Sequence, residues 1–132
     1  MRRCQEMPPE ELKKAIEQFN GGDWFECHEI LEELWVGEKG ELRYFYQGLL
    51  QIAVALHHWR NGNFKGALNL LQGGGDLLSL VSPACQRIDV ARLIADAGKA
   101  HDELTALGEE RMSQLGLHLI PKLHPARPPC AA

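Results

Sequence analysis

The segment Trp24-Phe25-Glu26-Cys27-His28-Glu29-Ile30-Leu31-Glu32-Glu33-Leu34-Trp35 holds the residue types best suited to chemistry in this chain. His28 and Glu32 are four apart, so a helix sets them on one face. An imidazole beside carboxylates is a donor set for a divalent metal such as zinc, manganese or iron, and His57 or His58 offers a further ligand. The spacing differs from His-Glu-x-x-His, where two histidines hold zinc and the glutamate is the base. A metal on His28, Glu32 and His57 would acidify a bound water, making Glu29 the candidate catalytic base. Arg43 is the second candidate catalytic residue, because its fork fits a carboxylate or phosphate. The expected ligand is therefore a small anion.

The same residues also read as structure. With His28 at zero on a helical wheel, Leu31, Trp24 and Trp35 fall at about −60°, −40° and −20°, and Glu32 and Phe25 at about +40° and +60°. His28 and Glu32 then lie inside an aromatic stripe, where a carboxylate must be paired, protonated or bound to a cation. Glu29 sits on the flank, and Glu26 and Glu33 point away. From Leu42 to Trp59 the only charged residue is Arg43. Arg43, Gln47, Gln51 and His58 form a polar stripe in an otherwise apolar helix. The expectation is an interior polar seam facing His28 and Glu32, with Trp35 beside it. As a structural network it requires a direct Arg43–carboxylate pair and no cavity. As a metal site it requires His28, Glu32 and His57 to converge. As a ligand or partner pocket it would be walled by Trp24, Trp35, Tyr44 and Tyr46.

The elements that must position these groups are helices. Pro8-Pro9 followed by Glu10 and Glu11 suits a helix start. Leu12, Ile16 and Phe19 form its apolar stripe, and Asn20-Gly21-Gly22 ends it. Asp23 with Glu26 reads as a capping box for the second helix, which runs to about Val36. The third helix spans about Glu41 to Arg60. Asn63 caps a fourth that carries Ala67, Leu68, Leu71, Leu77 and Leu78 and runs, continuous or kinked, to about Val81. Gly73, Gly74 and Gly75 weaken it by about 1 kcal/mol each relative to alanine. Ser82-Pro83 breaks the chain, and Asp89 caps a fifth helix through Leu104. A short turn covers Glu109 to Leu115, and Leu117 to Leu119 is expected to be extended. The fold class is all-α: one five-helix, bundle-like domain over residues 8–116, with neighbouring helices antiparallel. Residues 117–132 are expected to be an extended or disordered tail.

Composition narrows the function classes. The 132 residues are 45% hydrophobic and 24% charged, with a formal charge of −4. That argues against nucleic acid as a partner, and no apolar run is long enough to cross a membrane. Residues 1–41 hold eleven acids against five bases, so the first third is acidic and the remainder is slightly basic. An acidic face of this kind suits a cation or a basic partner. The four cysteines show no paired spacing and read as reduced thiols, and the N-terminus has no apolar secretion signal, so a cytoplasmic location is expected. A homodimer is the expected assembly, if the chain forms one.

Two blocks resemble a known family. The first is Phe19-Asn20-x-Gly22-x-Trp24-Phe25-Glu26-x-His28-Glu29-x-Leu31-Glu32-x-x-Trp35. The second holds Arg43, Tyr46-Gln47-Gly48-Leu49-Leu50-Gln51, Ala53, His57, Gly62-Asn63 and Gly66-Ala67. Together they resemble the family called domain of unknown function 309, over about residues 10–105. The resemblance implies a small all-helical prokaryotic protein, and some members are labelled metal-dependent hydrolases. It singles out His28, Glu29, Glu32, Arg43, Gln47, Gln51 and His57, and favours His57 over His58. The glycine triplet and the Pro/Cys tail are particular to this chain.

Overall fold

Pro9, with extended backbone, opens helix α1 (Glu10–Asn20), and Glu10 and Glu11 occupy its first turn, where they complement the dipole. Helices α2 (Trp24–Val36), α3 (Glu41–Arg60), α4 (Phe64–Leu78) and α5 (Val90–Leu107) follow. The computed structural model describes residues 3–127. Within them the protein is mostly helical, and each α-helix packs against the next in sequence. Asn63 caps α4 through Gly66 N at 2.9 Å, and Asp89 caps α5 through Arg92 N at 3.0 Å. The expected capping box does not form, because the Asp23 side chain makes no cap hydrogen bond. Gly22, which lets the chain turn from α1 into α2, has φ +85°, and a Cβ there would meet Arg60 Nη2 at 2.9 Å.

The core is built around α3, whose Leu42, Phe45, Tyr46, Leu49, Ile52, Ala53 and Leu56 are buried. From α1 it receives Leu12, Ala15 and Phe19, and from α2 it receives Trp24, Cys27 and Leu31. Burial pushes the Cys27 thiol up to about 12, against a smaller lowering by a backbone hydrogen bond. Against α4 the packing runs through glycine. A Cβ on Gly48 would lie 2.6 Å from Leu78 Cγ, and one on Gly74 would lie 2.6 Å from Ile52 Cγ1 and 3.0 Å from the Gly48 carbonyl oxygen. Two of the glycines that weaken their helices thus bring the two backbones together.

Three expectations are corrected here. The cysteines are not all reduced: Cys4 and Cys85 form a disulfide across 81 residues, Cys27 is free and buried, and Cys130 lies outside the described residues. The cytoplasmic expectation loses the support it drew from reduced thiols, since disulfides mark oxidising compartments and the interiors of hyperthermophiles. No helix among the described residues is long and apolar enough to cross a membrane.

Second, a short hairpin, β1 (Ala84–Cys85) and β2 (Ile88–Asp89), stands between α4 and α5. Its turn residues Gln86 and Arg87 have φ +49° and +65°, without the Asn-Gly signal such turns usually carry. Gln86 is buried and clamps the N-terminal segment, donating from its side-chain amide to the carbonyls of Arg3 (2.6 Å) and Glu6 (3.1 Å).

Third, Leu117–Leu119 is a 3-10 turn rather than extended chain. The segment after it is docked as far as the described residues reach. Asn20 holds Leu123 by two hydrogen bonds, with its side chain donating to the carbonyl (2.9 Å) and accepting from the amide (2.7 Å). Leu123 is buried, and Pro125 bridges to Ile88.

Candidate functional site

Helix α2 positions most of the candidate residues. Its core-facing side chains are Trp24, Cys27 and Leu31, with Ile30, Leu34 and Trp35 partly buried against the same core. That direction is rotated away from the expected stripe, because Phe25 is 50% exposed and does not belong to it. His28 falls at the margin of the buried face, with 26% of its side chain exposed, and Glu32 falls outside it at 54%. The buried carboxylate expected at Glu32 is therefore absent, and with it the need for a compensating charge.

His28 has oxygen neighbours on both ring nitrogens: the Phe25 carbonyl at 3.1 Å from Nδ1 and Glu32 Oε2 at 3.3 Å from Nε2. A proton on Nδ1 would donate to the carbonyl and leave the Nε2 lone pair beside the carboxylate, which is how a metal-ligating histidine is commonly held. The third ligand does not join them. The Phe25 ring packs on both His28 and His57, with centroids 5.4 Å from each. The His57 ring nitrogens turn to Asn61 Nδ2, at 3.1 Å from Nε2, and His58 turns to Asn63. Among the described residues, no group of three or more His, Cys, Asp or Glu is placed to hold a metal ion. The residues present do not fit the expected three-ligand metal centre.

The two candidate catalytic residues also stand apart. Glu29 is exposed and lies on an open acidic shelf of about 510 Å³ with Glu32, Glu33 and Val36. Arg43 is exposed, sits 4.7 Å from the centroid of the Trp35 ring and donates to the Glu38 carbonyl at 3.4 Å. Among the described residues no salt bridge joins it to Glu29 or Glu32, as the interior network would require.

The structure does bring His28, Glu32, Trp35, Gln47 and Gln51 together. With Leu50 and Val54 they line a cleft of about 300 Å³ between α2 and α3. The polar stripe of α3 thus borders an open space rather than an interior seam. The Gln47 and Gln51 amides enter no hydrogen bond among the described residues. Gln51 packs against Gly73 of α4, where a Cβ would meet its Oε1 at 2.5 Å, so the third helix-weakening glycine on this side makes room for a cleft residue. Leu50 and Val54 were not singled out as walls, although Val54 shares the wheel position of Arg43 and Gln47. Of the expected aromatic walls only Trp35 lines the cleft. Trp24 is buried edge-on to Trp59 and under the Arg60 guanidinium, Tyr46 is in the core, and Tyr44 is exposed on the surface.

The chain is similar to proteins of two bacteria. An uncharacterized protein of Aquifex aeolicus (strain VF5) is 39% identical over 62 residues, which make up 46% of this chain and 19% of that protein. The uncharacterized protein YpuF of Bacillus subtilis (strain 168) is 34% identical over 94 residues, 70% of this chain and 49% of that protein. The chain therefore spans about a fifth of the first relative and about half of the second. The family model described as Domain of unknown function (DUF309) matches residues 12–70, a stretch that contains every residue lining the cleft. Through residues 12–70, this chain belongs to the DUF309 family.

Proposed function

We propose that this chain is a non-enzymatic binding module whose ligand enters the cleft between α2 and α3. The carrying observation is the composition of that cleft: apolar walls from Leu50, Val54 and Trp35 stand beside the Gln47 and Gln51 amides, which enter no hydrogen bond among the described residues, and beside the half-exposed Glu32 carboxylate, whose one ion-pair partner there is His28. Its volume of about 300 Å³ is at the lower end of ligand sites. Apolar walls with a few amides and one carboxylate suit recognition by burial plus hydrogen bonds. Acid–base chemistry gains less support, because Glu29 stands on the neighbouring shelf and Arg43 is held over Trp35.

The test is a protein-observed NMR screen of a small-fragment library against the isotope-labelled wild type and Val54→Trp. Fragments are expected to shift resonances of His28, Trp35, Gln47 and Gln51, and to lose binding when the tryptophan fills the cleft. A screen with no fragment mapping to these residues overturns the reading. So would one equivalent of zinc or manganese held by tag-free protein and lost in His28→Ala. That result would favour a metal-dependent hydrolase in which His28, Glu32 and His57 hold the ion, Glu29 is the base and Arg43 orients an anionic substrate.

A further inference from the structure

The cleft continues onto the acidic shelf, since Glu32 lines both. Along α2, Phe25, Glu29, Glu32 and Val36 follow at spacings of four, three and four, so they form one exposed stripe. Its ends are apolar, with Phe25 50% and Val36 67% exposed. Its middle is anionic. Helix α2 carries Glu26, Glu29, Glu32 and Glu33 and no lysine or arginine. Among the described residues, Glu29 and Glu33 enter no ion pair, and Glu32 meets only His28. The eleven residue steps from Phe25 to Val36 rise about 16 Å, the length of three turns of a facing helix. Arg43, on Trp35 and the Glu38 carbonyl, places positive charge at the Val36 end.

We infer that the occupant of this face is a basic amphipathic helix of a partner protein. Its apolar side chains would enter the cleft at Leu50 and Val54 and cover Phe25 and Val36, while its lysines or arginines would meet Glu29, Glu32 and Glu33. An open, elongated surface with unpaired carboxylates beside an apolar groove fits such a helix better than it fits an enclosed small molecule. This inference rests on the cleft being a binding site, as proposed above.

The experiment measures fluorescence anisotropy of three labelled 14-residue peptides against the intact chain: a leucine/lysine amphipathic helix, its leucine/glutamate counterpart, and a lysine-rich peptide of the same composition as the first with scrambled order. The leucine/lysine helix is expected to bind at least tenfold more tightly than either of the others. Its affinity should fall at least tenfold in Glu29→Lys/Glu32→Lys/Glu33→Lys and in Val54→Trp, and stay within twofold in Glu103→Lys/Glu110→Lys. Equal binding of the scrambled peptide, or insensitivity to Val54→Trp, would show charge attraction without docking and overturn the inference. If no peptide binds while fragments still map to the cleft, the inference fails and the binding-module reading stands. If fragments also fail to map, both fall. A dimer in light scattering that dissociates in Val54→Trp would make a second copy the occupant, which likewise overturns it.

Discussion

Toward α4, helix α3 presents Gly48 and Ile52 to Leu78 and Gly74, at distances where an added Cβ would find backbone or branched side chain within about 3 Å. Toward α2, the same helix presents Gln47, Leu50, Gln51 and Val54 and leaves about 300 Å³ unfilled. One side is closed by missing side chains, and the other is held open by present ones. The glycines of the closed side contribute little to helix stability, yet they permit the close contact that anchors α3. The amides of the open side contribute little to the core, yet they face a cavity. Helix propensity and hydrophobicity, applied residue by residue, undervalue both sides for opposite reasons.

The contrast can be broken by mutation. Gly74→Ala is expected to show the largest effect. Overpacking against Ile52 and the Gly48 carbonyl, at up to about 3 kcal/mol, outweighs the gain in helix propensity of about 1 kcal/mol, for a net loss of about 2 kcal/mol. A lower urea midpoint at unchanged slope would register it, and an unchanged midpoint would mean that the seam is not closed. Gly48→Ala should behave alike, and the double variant should depart from additivity because the two sites share one contact. Gly75, in the same triplet, has nothing within 4 Å of an added Cβ. Gly75→Ala should therefore raise stability by about 0.5–1 kcal/mol, read as a higher melting temperature.

On the open side, Arg43→Ala should lose about 0.5–1 kcal/mol from its contact with Trp35. A loss of about 3–5 kcal/mol would instead indicate the buried ion pair that the interior-seam reading demands. The smallest effect belongs to Glu32→Gln, expected within about 0.5 kcal/mol of wild type by chemical denaturation, since its partner is an i,i+4 histidine at a half-exposed site.

The helices were legible because their punctuation is local. Pro9, Asn63, Asp89 and the Asn-Gly turns act within a few residues of themselves, and the elements begin and end beside them. The candidate site was legible as a set of residues but not as an environment. His28, Glu32, Trp35, Gln47 and Gln51 do meet. Counting Phe25 as a core residue, however, turned the inferred buried face of α2 toward Glu32 and made a surface carboxylate look buried. That one aromatic also lies between His28 and His57, which helical spacing on two separate helices cannot reveal.

What the sequence determined by itself was the order of the helices and their ends to within about one turn, the acidity of α2 and the residues that would share one side of α3. Caps, turns and side-chain periodicity act over one or two turns of chain, so they are written into neighbouring residues. Only the tertiary structure decided what those sides face. It joined Cys4 to Cys85 across 81 residues and set Asn20 on Leu123 across 103. It also closed α3 onto glycines of α4 and left its glutamines facing a cleft. These outcomes depend on how near two distant backbones can come, and local spacing does not encode that distance.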